Sequence, residues 1–412
     1  MKKQILTLII IGIFIGVTFS PIAVGITLTK EQNIVSDSTQ DLSETLFDIY
    51  IKTLMRIAHK PSISACIIVN NSVVWSKGYG YYDLENKKPA TKDTLYLMAS
   101  VSKTITATAL MQLYEKGLFK LDDDINKYLP FKLRNPNHPD DNITIEMLLS
   151  HRSSLADDNL YWLCLSYLPG DPDVPDYPMP WLEEYLTPNG SAYSPDTWSE
   201  DRPGQKYYYA NVGFSLLGYL VEILSGQNFN EYCKEHIFTP LQMYNTSFRL
   251  RDLNISNIAI PYDYNKGTYF AHPNYGMYVI HPACSLRTSV EDYSHFLIAH
   301  MNGGVWNNVS ILNESTVEMM HIAHFSPEDK YNYGYGWEVK NPLFGKNYYG
   351  HSGGWPGVHN QVTVKPNKNM SVIIFSNELD SELLDTKIER KAFKFINKAI
   401  FLKANILNML AS

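Results

Sequence analysis

Ser100 and Lys103 stand three residues apart in Met98-Ala99-Ser100-Val101-Ser102-Lys103, a spacing that on a helix places both on one face, one turn apart. A serine hydroxyl is a weak nucleophile until a neighbour takes its proton. A lysine amine can do so once burial or nearby cations bring its pKa down from about 10.4. A helix starting here would also aim backbone N–H groups at an oxyanion formed beside Ser100. The second constellation is Tyr207-Tyr208-Tyr209-Ala210-Asn211, between Pro203-Gly204 and the helical run Phe214 to Tyr219. Its Tyr209 phenol can relay a proton to a leaving group, and its Asn211 carboxamide can hold a substrate carbonyl. The third is Tyr349-Gly350-His351-Ser352-Gly353-Gly354, where glycines on a strand let a substrate backbone come close. Taken singly, each has an ordinary structural reading: a chance pair on an exposed helix, packed loop aromatics, a hydrogen-bonding histidine. Three such signals in one order, each more than a hundred residues from the next, point to one shared cleft.

Positioning these groups requires a sheet and a helical layer. A helical pattern runs from Leu42 to His59 after polar residues Thr29 to Asp41 that read as a linker. Ile63 to Val69, Asn70-Asn71 and Val73 to Tyr79 read as a β-hairpin, and a helix is expected from near Ser100 to a glycine stop at Gly117. From about Asp122 to Cys284 the pattern is helices and Pro/Gly-rich loops; after Ser289 come a helix to about Met301, strands at 348–351, 361–364 and 371–376, and a helix from about Asp385 to Leu402. Strands at both ends with helices between predict an α+β fold, one antiparallel sheet completed by both ends of the chain and flanked by helices, with a helical subdomain. The expected organisation is 1–25 signal segment, 26–41 linker, 42–402 catalytic domain (42–121 and 289–402 sheet, 122–288 mainly helical) and 403–412 tail.

The 412 residues, 45% hydrophobic and 19% charged, suffice for a large core. Net charge is −7 with both signs scattered, and no basic run interleaved with aromatics presents a nucleic-acid face. Lys2 and Lys3, the apolar stretch Ile5 to Phe19 and the small residues Ala23-Val24-Gly25 form the pattern of a secretory signal. Read instead as an uncleaved anchor, the same segment would attach the protein to a membrane; both readings place the remainder outside the cytoplasm, secreted or at the cell surface. Cys66, Cys164, Cys233 and Cys284 permit up to two disulfides by three pairings, but the apolar neighbours of Cys66 and Cys164 favour buried thiols. Asn-x-Ser/Thr triplets at Asn142, Asn189, Asn245, Asn254 and Asn308 are acceptors for glycosylation in a suitable host. His321-Ile322-Ala323-His324 has a metal-ligand spacing, yet no Cys or carboxylate completes a set, so no metal is expected. The amphipathic stretch Arg390 to Leu410 reads as a terminal helix on the sheet in preference to a membrane-surface helix.

The three segments resemble the signature boxes of the serine β-lactamase and penicillin-binding-protein superfamily: Ser-x-x-Lys, a Tyr-x-Asn for Ser-Asp-Asn, and a His-Ser-Gly for Lys-Thr-Gly. The likeness is to the branch of class C β-lactamases, D-alanyl-D-alanine carboxypeptidases and related esterases. It is supported by Gly117 to Asp123, Ile145 to His151, His236 to Leu241 and Gly353 to Gly357, and spans about residues 45 to 400. The resemblance implies Ser100 as nucleophile, Lys103 and Tyr209 as proton carriers, His351 lining the cleft, Asn211, Ser352, Gly353 and Gly354 contacting substrate, and an oxyanion hole from the N–H groups of Ser100 and Gly354. It implies a small-molecule or peptide substrate, an acyl-enzyme, and no metal or organic cofactor; it leaves the oligomeric state open. A non-catalytic, β-lactam or peptidoglycan-binding sensor on the same fold is the alternative. Two departures stand out. Histidine at 351 replaces a lysine of class C enzymes, and histidine titrates near about 6.5, so weak β-lactam hydrolysis and peptidase or esterase activity are expected. Ser154 stands where relatives have glycine, followed by Asp157 and Asp158, which would favour amine-bearing substrates if they faced the cleft.

Overall fold

The computed structural model describes residues 32–157, 179–272, 280–324, 332–340, 348–379 and 387–411; the N-terminal signal segment, Cys164 and Asp158 lie outside them. The helices used below are α1 (Gln32–Ile57), α2 (Ser102–Glu115), α3 (Asn211–Ser225), α4 (Val290–Met301) and α5 (Lys387–Ala411). The strands of the main sheet are β1 (Ser62–Val69), β2 (Ser72–Asp83), β3 (Lys88–Pro89), β4 (Glu338–Lys340), β5 (Tyr348–Trp355), β6 (Val358–Lys365) and β7 (Met370–Ser376).

The chain divides into two units. The smaller comprises residues 1–60 with 385–399, the larger 61–384 with 400–412. In the smaller unit α1 begins at Gln32, so residues 32–41, expected as linker, are helical. Lys60 places its ammonium 5.2 Å from the Phe393 ring centre there.

The larger unit is organised by a seven-stranded antiparallel sheet of order β4-β5-β6-β7-β1-β2-β3. Its centre is the β1–β7 pair, in register Ile63 to Ser376 through Val69 to Met370. Every residue of both strands is buried, as their near-continuous apolar sequences require of strands covered on both faces. In β6, burial alternates with partial exposure residue by residue, the period of a strand with one face in the core. The β1–β2 hairpin turns at Asn70 (φ 49°) and Asn71 (φ 59°), the left-handed pair that a two-residue hairpin demands and asparagine tolerates. The α+β fold expected from the sequence is the one observed.

The helix α4 packs on the sheet and α2 against α3, and in α2 residues Ser102 to Leu113 are all buried. So polar a helix can be buried because its hydroxyls are satisfied: Thr104 bonds the Val101 carbonyl at 2.8 Å, Thr106 the Pro282 carbonyl at 2.6 Å, and Thr108 the Thr104 carbonyl at 2.8 Å. The stretch expected to be helical holds α3 and several shorter helices, and also a hairpin, Tyr262–Asn265 with Thr268–Ala271. Its four-residue strands carry too few apolar residues for period-two alternation to stand out. The end of α5 packs on the sheet: the Lys365 ammonium lies 3.9 Å from the Phe401 ring centre, and that of Lys403 5.3 Å from Trp75. Among the described residues no helix is long and apolar enough to cross a membrane, and Cys66, Cys233 and Cys284 are free buried thiols.

Candidate active site

The segment carrying Ser100 is held from several sides. The Met98 N–H donates to the Leu286 carbonyl at 2.8 Å, the Asn360 amide to the Leu97 carbonyl at 2.8 Å, and the Leu286 N–H to Ser102 Oγ at 3.1 Å. A Cβ on Gly353 would come within 2.2 Å of the Met98 carbonyl oxygen. The missing side chain there lets β5 close on the Ser100 segment; the sequence reading had reserved that space for substrate. Ser100 sits in a 3₁₀ turn, Ala99–Val101, that leads into α2. Ala99 has φ 47°, a left-handed conformation that costs a non-glycine residue about 1–2 kcal/mol and that the surrounding packing must enforce.

Lys103 is fully buried. Its Nζ lies 3.2 Å from Ser100 Oγ, 2.6 Å from Asn211 Oδ1 and 3.2 Å from the Ala283 carbonyl. Burial lowers its pKa, outweighing the opposite pull of Cys284, Asp157 and Glu338. A neutral amine has two N–H donors and one lone pair. In that form the Asn211 Oδ1 and Ala283 carbonyl acceptors would take the two donors, which leaves the lone pair for the serine hydroxyl. The same amine lies 4.8 Å from the centre of the Tyr209 ring. The Tyr209 phenol hydrogen-bonds Ser100, and its pKa is raised well above 10, chiefly by burial. Of the two expected proton carriers, the amine is therefore the one able to be an unprotonated base in the resting site, and the phenol is a donor.

Tyr209 is held on a loop by His151, whose ring centre is 4.3 Å away and whose Nδ1 accepts the Ala210 N–H at 3.1 Å. Asn211 opens α3. Asp157, half-buried, takes the N–H groups of Asn211 and Val212 and the Asn211 side chain as well. Burial pushes its carboxyl up to about 6. Asp157 thus caps α3 and does not line the catalytic cleft. Asn211 spends its carboxamide on Lys103 and Asp157, partners other than the substrate amide expected for it. Ser154 has φ 64°, which explains why glycine suits that position; its hydroxyl accepts from Asn135 Nδ2 at 3.0 Å, which offsets the strain.

A cavity of about 760 Å³ opens over Ser100 and is walled by Tyr207, Tyr209, Tyr333, His351, Ser352 and Gly354, with Glu338 and Lys340 at one side. His351 is buried on β5, its Nε2 2.6 Å from the Tyr333 hydroxyl and its Nδ1 2.6 Å from the Ser352 carbonyl. The carbonyl can only accept, so Nδ1 carries the proton and Tyr333 donates to Nε2. Burial drives the imidazole pKa down to about 4 against the pull of Glu338. The expectation that His351 titrates near 6.5 is therefore corrected: it is a neutral, fully bonded ring at physiological pH. Tyr333, Glu338 and the Ala283 carbonyl were not singled out from the sequence; a Tyr-Gly-Tyr-Gly-Trp-Glu run from Tyr333 before β5 was the signal available for the first two. His321 and His324 diverge, His321 stacking on Tyr349 at 3.6 Å and His324 on Tyr335 at 3.9 Å, and no metal-holding cluster occurs among the described residues.

Comparison with known proteins gives a consistent picture. The family model for Beta-lactamase matches residues 47–394. Protein flp of Staphylococcus aureus strain MW2 is 26% identical over 377 residues, 89% of this chain and 69% of that protein. An Escherichia coli K12 protein, named provisionally as a D-alanyl-D-alanine carboxypeptidase, is 28% identical over 385 residues, 81% of this chain and 82% of its own. Among solved structures, the octameric penicillin-binding protein homologue from Pyrococcus abyssi superposes with a TM-score of 0.65 at 26% identity, covering 85% of this chain and 77% of that one.

Proposed function

The chain belongs to the beta-lactamase family, a family of serine acyl hydrolases, and from that premise we propose that it cleaves esters or amides through an acyl-enzyme on Ser100. The observation that carries the reading is the buried Lys103 amine, 3.2 Å from Ser100 Oγ and within hydrogen-bond reach of two further acceptors, Asn211 Oδ1 and the Ala283 carbonyl. Lys103 takes the hydroxyl proton as Ser100 attacks the carbonyl carbon. The backbone N–H groups of Ser100 and Gly354 receive the oxyanion. Tyr209 passes a proton to the leaving alcohol or amine and is recharged from the lysine ammonium. Water then enters, gives its proton back along the same path and releases the acid, so the enzyme ends as it began.

His351 acts as a neutral scaffold that fixes Tyr333 and the Ser352 carbonyl. Without a cation at His351, β-lactam turnover is weak, and small esters and D-amino acid peptides or amides are the favoured substrates. The signal-like residues at the N-terminal end of the sequence support an extracytoplasmic location. Exposure to a fluorophosphonate or a fluorescent penicillin, with the adduct located by mass spectrometry, is expected to label Ser100 and to fail in Ser100→Ala. A label on any other residue overturns the assignment. A stoichiometric burst with no steady-state rate would replace turnover by single acylation, the behaviour of a sensor.

A further inference from the structure

Three donors converge beside His351 on the cavity wall: the Ser352 N–H, the Ser352 hydroxyl and the Lys340 ammonium. Two hydrogen bonds and a cation are the elements of a carboxylate-binding subsite. In this protein all three are turned toward the Glu338 side chain. Glu338 Oε1 accepts the Ser352 N–H at 3.0 Å and also the Ser352 hydroxyl, while Oε2 lies 3.6 Å from Lys340 Nζ.

The arrangement follows from the end of a strand. The last backbone pairing of β4 is Glu338 with Gly350, two residues short of Ser352 along β5. Past that point no strand among the described residues pairs with that edge of β5, and the Glu338 side chain runs on along it to meet the Ser352 N–H. The carboxylate is three-quarters covered. Burial works against its charge, but the two Ser352 donors and Lys340 work for it, and its pKa lies below the usual carboxylate value. His351 Nδ1, 3.8 Å away, gives its proton to the Ser352 carbonyl and adds no charge.

We infer that Glu338 is the specificity-determining residue of this site: an internal carboxylate that occupies the subsite a substrate carboxylate would need. The inference rests on the Ser100 acyl-hydrolase reading and deepens it. A substrate ending in a free carboxylate has to displace Glu338 from its donors and lie against it as a like charge. Acyl donors that are uncharged or carry an amine at that end meet no such barrier. The substrate class is accordingly esters, amides and peptides with no free carboxylate next to the scissile bond.

The test compares two thioesters of one acyl group in the full chain, one with mercaptoacetate as leaving group and one with mercaptoacetamide. The readout is the ratio of their kcat/KM values, which does not depend on the fraction of active protein. The native chain is expected to favour the carboxamide. Glu338→Gln and Glu338→Ala should each shift the ratio toward the carboxylate by about tenfold or more, the scale of relieving a like-charge juxtaposition. A residue that merely braced the fold would depress both rates together, so an unchanged ratio in variants whose Ser100 still takes a fluorophosphonate overturns the inference alone. No labelling of Ser100 in the native chain overturns the hydrolase reading and this inference with it.

Discussion

On the proposed mechanism Lys103 is the base because burial lowers its pKa against the pull of Cys284, Asp157 and Glu338, which poises the amine beside Ser100 Oγ. Lys103→Met, which keeps the volume and apolar stem, is expected to lower kcat about 10²–10⁴-fold, the contribution of a positioned base, while the melting temperature stays within a few degrees. The pH dependence separates the neighbours. His351, with its pKa near 4, is neutral throughout the range from pH 5 to 9. Asp157, pushed up to about 6, loses an acceptor for the α3 N–H groups when protonated and loosens Asn211. A kcat/KM profile should therefore fall below about pH 6 in the native chain and in His351→Gln, and lose that inflection in Asp157→Asn; a limb that disappears with His351 instead would contradict the assignment. At this scale the sequence was informative about side chains whose chemistry is distinctive. Ser100, Lys103, Tyr209 and His351 could be read because few residue types can play their parts. The Ala283 carbonyl could not, since a backbone acceptor leaves no mark on residue type, and Glu338 could not, since only the length of β4 brings it to Ser352.

Elements set the distances on which this chemistry depends. The Ser100 turn is wedged between β5 and the end of a helix, and Gly353 is the point of closest approach. Gly353→Ala would drive a methyl group into the Met98 carbonyl, with an expected loss of about 1–3 kcal/mol of stability, typical of overpacking, seen in denaturant unfolding. Labelling at Ser100 should fall further than unfolding alone accounts for, because the turn is displaced from Lys103. The large elements were legible: the β1–β2 hairpin and the helix after Ser100 lie where the residue pattern put them, and the strand bearing His351 begins at Tyr348 as expected but runs on past His351 to Trp355. Periodicity failed where an element is short. The Tyr262–Asn265 hairpin and three-residue β4 are created by tertiary pairing, and a handful of residues carries no period to detect.

For the molecule as a whole, acid is the condition that separates the folded from the unfolded state most sharply. His151, His300 and His351 are buried and His321 half-buried, and desolvation depresses the pKa of all four rings. A depressed base binds its proton in the unfolded chain first, so stability is complete above the unfolded value of about 6.5 and declines as pH falls below it, by up to about 1.4 kcal/mol per unit for each ring. Thermal unfolding followed from pH 7 to pH 5 should show a steadily falling midpoint; a flat profile would mean these rings are not held neutral. The central pair of the sheet has a further implication for biosynthesis. Ser62 bonds Asn377 across 315 positions, and β1 has β7 as its neighbour on one side. Until the ribosome has delivered β7, a wholly buried strand of the finished fold has one side open, and until it has delivered β5 the groove containing Ser100 lacks the wall of His351, Ser352 and Gly354. A chain cut short before β5 is therefore expected to take no fluorophosphonate at Ser100, which mass spectrometry of the truncated protein would check.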